Sequence, residues 1–425
     1  MRVWVVNQFA VPPTQSGGTR HFALAKEMRK LGAETSIVAA DVNYHSGKSG
    51  VLSAGARYRL EEHEGVEFLW LRSVSSHSES VLMRVIGMFD FWGRIVFGRT
   101  IQRLSAPDVI VGSSPQPFAA FAAALLAKRL KVPFVLEVRD MWPDSLIELG
   151  GYSKFHPFIL MLSKLEKWLY RHADRIVVLL DGAQSEIVRT AAPVDVATEW
   201  IPNGVDLSLF PAPSRPNNGA SFVVLYAGAH GLANGLDTFL DAAHLSLEAK
   251  DNITYRLVGD GPRKAGLEKR AQDEGLSNVE FKPSVAKSGV AGELVQADTF
   301  YMPLKNSPVF RLGISPNKLF DYMAAARPII FAVNTERDPV REAGAGLSIE
   351  PEDAEALAQS LRTLKDLTPE ARNEMGRNAR QYVEAKHSNT LLAQKFFRML
   401  EGVIETRRPS PALDNKANPE KEPTA

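Results

Sequence analysis

The segment GISPNKLFDYMAAARP, residues 313–328, gathers side chains able to hold an anion and a sugar ring. Ser315 and Pro316 favour a helix start, so a helix is expected from there through Lys318 and Asp321 to Arg327. The first amides of a helix lack intrahelical acceptors and carry the positive end of its dipole. Asn317 adds a donor there and Lys318 a positive charge, which suits a diphosphate that leaves with negative charge. Asp321 follows Lys318 by three residues on one helix face. Its carboxylate could accept from the two hydroxyls of a ribose; the same spacing equally fits an intrahelical ion pair.

Other clusters fall where strands should end. Gly17 and Gly18, in QSGGTRHFALAKEMRKLG, let the backbone approach a phosphate at a helix start, or make an ordinary turn. Arg139 and Asp140 follow PFVLEV, either as a structural ion pair or as a cation for phosphate and an acceptor for sugar hydroxyls. Asn203-Gly204-Val205-Asp206 reads as a turn. Gly228 and His230, in YAGAHG, bring backbone amides and a lone imidazole to a strand end. In LVGDGPRK a glycine-rich turn leads past Arg263 into a helix.

Positioning these residues requires parallel strands joined by crossover helices, and the chain alternates accordingly. The first half offers RVWVVNQ, TSIVAAD, VEFLWLR, DVIVGSS, PFVLEVRD and RIVVLL, several apolar throughout, as strands covered on both faces are. Helices are expected over residues 18–31, 118–130 and 154–172, the last with a stripe of Phe155, Phe158, Ile159, Leu162, Leu165 and Leu169. The polar stretch PAPSRPNNGAS marks a boundary. A second series follows: FVVLYAG, TYRLVGDG, VEFKPS, TFYMPLK, PIIFAV and GLSIEP. In open parallel sheets ligands bind beyond the carboxyl ends of strands, where all the clusters above lie. The division read from this is 1–205, 206–387, a last helix over 388–406, and a tail, 407–425, too poor in large apolar residues to be ordered.

Bulk composition narrows the function. With 50 Lys plus Arg against 49 Asp plus Glu, the net charge of +1 gives no global field for nucleic acid. The absence of cysteine removes disulfides, thiolate nucleophiles and Cys-ligated metals together. No apolar run reaches the ~20 residues needed to span a bilayer, and MRVWVVNQ lacks a signal peptide's core, so a protein of the cytoplasm or of its membrane surface is expected.

In their order, GGTRHFALAKEMRKLG, IPNGVD, LYAG, LVGDGP and SPNKLFDYMAAARPII resemble the retaining glycosyltransferases of family 4 over roughly residues 1–400. RDMWPDSL and SPNKLFDYMAA look most like the bacterial enzymes that build O-antigen and capsule repeat units, including the N-acetyl-L-fucosaminyltransferase type. The resemblance implies an α/β GT-B architecture: two doubly wound Rossmann-like domains facing across a cleft, the acceptor on the N-terminal side and the nucleotide sugar on the C-terminal side. The last helix would cross back to the first domain. A UDP-sugar is the implied donor, or less readily a GDP-sugar; the acceptor would be a glycan or a polyprenyl-diphosphate-linked glycan, and neither metal nor other cofactor is implied. Gly17, Gly18, Gly228, His230, Arg263, Ser315, Asn317, Lys318 and Asp321 would bind donor, with Arg139 and Asp140 orienting substrate. Transfer would proceed by front-face attack without a protein nucleophile.

Two positions depart from the family. Its donor segment carries a Glu, seven residues, then a second Glu; here the second is Asp321 and the first is Gly313, which has no side chain for the sugar. A basic pair that often follows the first strand of the second domain is replaced by His230 and Asn234, leaving Lys318, Arg139 or Arg263 to supply charge. A nucleotide-sugar 2-epimerase of the same fold, and an inactive nucleotide-sugar-binding protein at the membrane, are the competing readings. The segment from Val81 to Leu104 sets Arg84, Arg94, Arg99 and Arg103 against Asp90 among large apolar residues. It reads either as a peripheral contact with the inner face of the membrane or as a core-facing amphipathic helix pair.

Overall fold

The computed structural model describes residues 1–15, 17–41, 51–53, 55–74, 81–114, 116–210 and 221–407. The stretch from Pro211 and the tail beyond Arg407 lie outside them. Among the described residues, fourteen strands form two sheets. The first holds β1 (Arg2–Val6), β2 (Glu34–Ala40), β3 (Tyr58–His63), β4 (Val66–Leu71), β5 (Val109–Ser113), β6 (Phe134–Val138), β7 (Arg175–Val178) and β8 (Thr198–Trp200), in the order β3-β4-β2-β1-β5-β6-β7-β8. The second holds β9 (Phe222–Ala227), β10 (Ile253–Val258), β11 (Val279–Lys282), β12 (Thr299–Pro303), β13 (Ile329–Ala332) and β14 (Gly346–Ile349), in the order β11-β10-β9-β12-β13-β14. Every pairing is parallel except β3 with β4. These are two Rossmann-like domains of the GT-B kind.

The apolar strand runs follow from helices on both faces. Val3 and Val5 pack in one layer with Phe22, Met28 and Phe396, whereas Trp4 and Val6 face Phe91, Ile95 and Ala120. In the second sheet Val223 and Leu225 meet Phe320 and Tyr322, while Val224 and Tyr226 meet Phe239 and Leu361. Each inward side chain of this size contributes about 1.5–3 kcal/mol on burial.

The chain crosses between domains twice, and the crossings bond to each other. Val205 N donates to the His387 carbonyl at 2.9 Å, and Asn389 N to the Val205 carbonyl at 3.0 Å. The last helix, Asn389–Arg407, then packs on the helix Arg20–Arg29, inserting Leu392, Phe396, Leu400 and Val403 beneath the first sheet.

Three expected helices shift at their starts. The first begins at Arg20, after a Thr19 that makes no side-chain cap. The stripe helix is Pro157–His172; it buries Ile159, Leu162 and Leu169, but Phe155 lies ahead of it with 73% of its surface exposed. The donor-segment helix is Asn317–Ala324, one residue later than expected and three shorter than Arg327. Pro316 is extended at ψ 133°, so it flanks the helix rather than opening it.

Candidate functional site

Lys318 and Asp321 share the helix Asn317–Ala324 but not each other. Lys318 Nζ donates to the Tyr226 hydroxyl at 3.0 Å and to Asn234 Oδ1, and lies 4.5 Å from the centre of the Tyr226 ring. Tyr226 is fixed from β9, and its hydroxyl donates in turn to the Ala229 carbonyl at 2.7 Å. Asn234 Nδ2 donates to that same carbonyl at 3.0 Å, which turns its oxygen toward the lysine. Burial, with no carboxylate partner among the described residues, pushes the Lys318 ammonium down to about 7. A phosphate oxygen would supply the missing counter-charge.

Asp321 is buried at 5% exposure, and both its oxygens lie 2.6 Å from Lys287 Nζ. Burial raises its pKa against the opposing charge of Lys287. Lys287 sits in the loop after β11, 34 residues away in sequence, and nothing local in the sequence pairs it with Asp321.

Gly228 belongs with Lys318. A Cβ there would stand 3.1 Å from the Tyr226 hydroxyl and 3.2 Å from Lys318 Cδ, so the loop passes too close for a side chain. His230 and Arg263 do not join them at an open surface. His230 is fully buried under the Gly259–Gly261 turn, where burial lowers it to about 4. Arg263 turns outward to Asp237 at 3.0 Å, a pair half exposed on both sides. Of Lys318, His230 and Arg263, only Lys318 lies beside Gly228 at the start of the helix Asn317–Ala324.

Ser315 does not cap its helix. Its hydroxyl accepts from Asn203 N at 2.8 Å, and its carbonyl accepts from Asn203 Nδ2, which ties the helix start to the first domain crossing. Nearby, Gly182 N donates to the Leu312 carbonyl at 2.9 Å and Arg337 Nε lies 3.5 Å from Asp181 Oδ2. The loop before the helix Asn317–Ala324 thus rests on the loop after β7. Gly313 stands in this contact with φ +108°, a conformation that side chains disfavour. Its lack of a side chain follows from the turn that seats one domain on the other.

On the N-terminal side, Gly18 and Arg139 come together: a Cβ on Gly18 would be 3.8 Å from Arg139 Nη1. Gly17, at φ +141°, makes the turn before them. Asp140 is exposed, and the loop that carries it is anchored through its neighbour Arg139, whose backbone N donates to Ser114 Oγ at 3.4 Å.

Beneath this loop lies a group that sequence reasoning missed. Glu137, fully buried in β6, accepts from Arg20 Nε at 3.0 Å, from His21 Nε2 at 2.8 Å and from Ser113 Oγ at 3.0 Å. Asn7 Oδ1 accepts from Phe9 N, so its amide nitrogen donates to His21 Nδ1 at 3.0 Å. His21 is therefore the neutral tautomer with its proton on Nε2, in agreement with burial lowering its pKa. Arg20 continues to the carbonyls of Ile201, at 2.8 Å, and Pro202. A single acid in the apolar run FVLEV was the available signal.

The surface segment divides into the helix Val81–Phe97 and a short 3-10 turn, Thr100–Arg103. Phe91 and Ile95 enter the core while Ile86, Phe89 and Phe97 stay exposed, Phe97 at 76%. Arg94 is held by Asp90 at 2.9 Å and Arg103 stacks over Tyr58 at 4.8 Å; Arg84 and Arg99 remain exposed. Among the described residues, no helix is long and apolar enough to cross a membrane.

Residues 17–204 match the family described as "Glycosyl transferase 4-like domain" and residues 209–366 match "Glycosyl transferases group 1". WcaI of Escherichia coli strain K12, which carries the name of a colanic acid biosynthesis glycosyl transferase, is 25% identical over 357 residues, 78% of this chain and 84% of the relative. The fold is shared with sucrose-phosphate synthase from Thermosynechococcus elongatus at TM-score 0.74 and 17% identity, covering 95% of this chain and 99% of that one. It is shared also with HepE of Anabaena, solved in complex with UDP and glucose, at TM-score 0.66 and 15% identity over 95% of this chain and all of the other.

Proposed function

We propose, from the premise that this chain belongs to the group 1 glycosyltransferases, that it moves a sugar with retention from a UDP-sugar to a glycan or polyprenyl-diphosphate-linked acceptor in surface polysaccharide assembly. The observation that carries this reading is Lys318, a half-buried ammonium at the start of the donor helix whose partners are a hydroxyl and an amide oxygen rather than a carboxylate. Together with the first-turn amides of Asn317 and Lys318 it forms a receptor for a diphosphate leaving group. Asp321, one turn on, takes the ribose, while Gly18 and Arg139 offer amide and guanidinium from the N-terminal side. The leaving diphosphate helps deprotonate the acceptor on the same face. Catalysis then rests on holding two substrates and neutralising charge.

Screening nucleotide sugars for turnover with lipid-linked acceptors, and reading the anomeric configuration of the product by NMR, tests donor and retention together. Lys318→Ala and Asp321→Ala should each weaken UDP binding; if both bind like wild type, the donor site lies elsewhere. Turnover of UDP-N-acetylglucosamine without any acceptor would instead indicate an epimerase. A lipid-linked acceptor places the enzyme at the inner face of the membrane, where Ile86, Phe89 and Phe97, with Arg84 and Arg99, form the contact.

A further inference from the structure

We infer that Lys287 is a positioning residue of the donor site, which fixes the Asp321 carboxylate so that one acceptor position on each oxygen is left for the two adjacent hydroxyls of a ribonucleotide. The inference rests on the donor-site reading above. It goes beyond it by assigning a residue and a basis for choosing ribose over deoxyribose.

An ionised carboxylate has two oxygens and about four lone-pair sites. Lys287 Nζ lies 2.6 Å from each oxygen, so it takes one site on each and leaves one on each. Two hydroxyls on neighbouring carbons of a ring can each donate to one of those remaining sites. A sugar lacking either hydroxyl leaves a buried acceptor unfilled, which is where discrimination arises.

The surroundings make the orientation depend on Lys287. Asp321 is buried, whereas Lys287 is about one-quarter exposed, so the acid is the fixed member of the site and the lysine the arm that reaches it. Lys318, the other cation on the helix, is committed to Tyr226 and Asn234. Tyr322, next in sequence, exchanges its hydroxyl bonds with the Ala227 backbone. Among the described residues no other cation is paired with Asp321. Lys287 also begins the turn Lys287–Gly289 after β11, so its bond to Asp321 draws the loop 283–287 against the donor helix. The nearby Lys282 holds Glu293 at 2.9 Å and supplies a control on the same segment.

The test is calorimetric titration of the full chain with UDP, 2′-deoxy-UDP, 3′-deoxy-UDP and inorganic diphosphate. Wild type should prefer UDP over either deoxy analogue by about tenfold. Lys287→Met should lose about tenfold in UDP affinity, with little change for the deoxy analogues or diphosphate, so that the preference collapses toward that of Asp321→Asn. Lys287→Arg should restore part of the preference, and Lys282→Met should keep it. The inference is overturned if Lys287→Met, melting like wild type, keeps the wild-type preference while Asp321→Asn loses it. A failure of the donor-site reading looks different: wild type then binds neither UDP nor diphosphate, or Lys318→Ala leaves both unchanged, and the inference falls with it.

Discussion

Lys318 and Asp321 stand one helical turn apart and ignore each other, the lysine reaching the hydroxyl of Tyr226 at 3.0 Å and the acid closing on Lys287 at 2.6 Å. The separation leaves one cation bonded only to neutral groups and one acid with its own counter-charge, an arrangement suited to a ligand that is anionic at one end and carries hydroxyls at the other.

A pH dependence follows from the lysine. In the empty protein Lys318 releases its proton near 7, well below an ordinary lysine, because burial disfavours its charge. A bound diphosphate restores that charge, so donor binding takes up a proton above this pH. Affinity for UDP-glucose, whose diphosphate does not titrate between about pH 6.5 and 8.5, should fall across that window by up to about tenfold per pH unit. Stability should run the other way. The unfolded lysine stays protonated to about 10, so the unfolded state binds more protons between roughly 7 and 10 and stability rises with pH there. Lys318→Arg should flatten the binding profile, since arginine does not titrate in this range. A wild-type profile that is flat by calorimetry would refute the assignment.

Restoring the family's first acid should not restore its function. Gly313 adopts φ +108° beside Asp181 and Arg337, and a Cβ there would meet its nearest atom at 3.6 Å, so the obstacle is backbone conformation rather than space. Gly313→Glu should cost about 1–2 kcal/mol in denaturant unfolding and raise turnover for no nucleotide sugar tested. An increase in turnover would mean that the acid reaches the sugar from this turn.

The buried acid of β6 gives the largest stability effect. Burial alone would raise Glu137, yet Arg20 and His21 hold it well below the usual carboxylate range. Its contribution is therefore present above the unfolded value of about 4.3 and is lost as pH falls through and below it. Arg20→Met should cost about 3–5 kcal/mol near neutral pH by stranding the charge. Adding Glu137→Gln should recover part of that loss. Equal unfolding midpoints for the single and double variants would show that the carboxylate is not the source of the cost.

How much of this could be read in the chain depended on the range of the interaction. Strands covered on both faces announce themselves as apolar runs, and twelve of those named from the sequence correspond to strands in the two sheets. Two strands gave no such signal. β3 (YRLEEH) is a half-exposed antiparallel edge with charges along it, and β8 (TEW) is only three residues long. At the site, a helix carrying Lys318 and Asp321 was legible from the local sequence, although the cap expected at its start does not form. The partners were not, since Tyr226 on β9 and Asn234 and Lys287 in the turns beyond β9 and β11 lie up to 92 residues away. The same locality misplaced Ser315, whose hydroxyl serves Asn203 across the domain boundary rather than its own helix.

The surface helix separates two kinds of arginine, and that separation can be measured. Arg94 is neutralised by Asp90 at 2.9 Å, while Arg84 and Arg99 are exposed near Ile86 and Phe97. A basic side chain at an anionic surface is worth about 1 kcal/mol, so Arg84→Gln with Arg99→Gln should weaken binding to vesicles rich in phosphatidylglycerol by about 30-fold. The loss should shrink at high salt, where the surface potential is screened. Arg94→Gln should change little, because its charge is already met. Phe97→Ser should weaken binding to anionic and neutral vesicles alike, since an inserted ring contributes through burial rather than charge. If the double arginine variant and Phe97→Ser both sediment with vesicles as wild type does, this face is not the membrane contact, and the exposed ring of Phe97 is an isolated apolar side chain of the kind most protein surfaces carry.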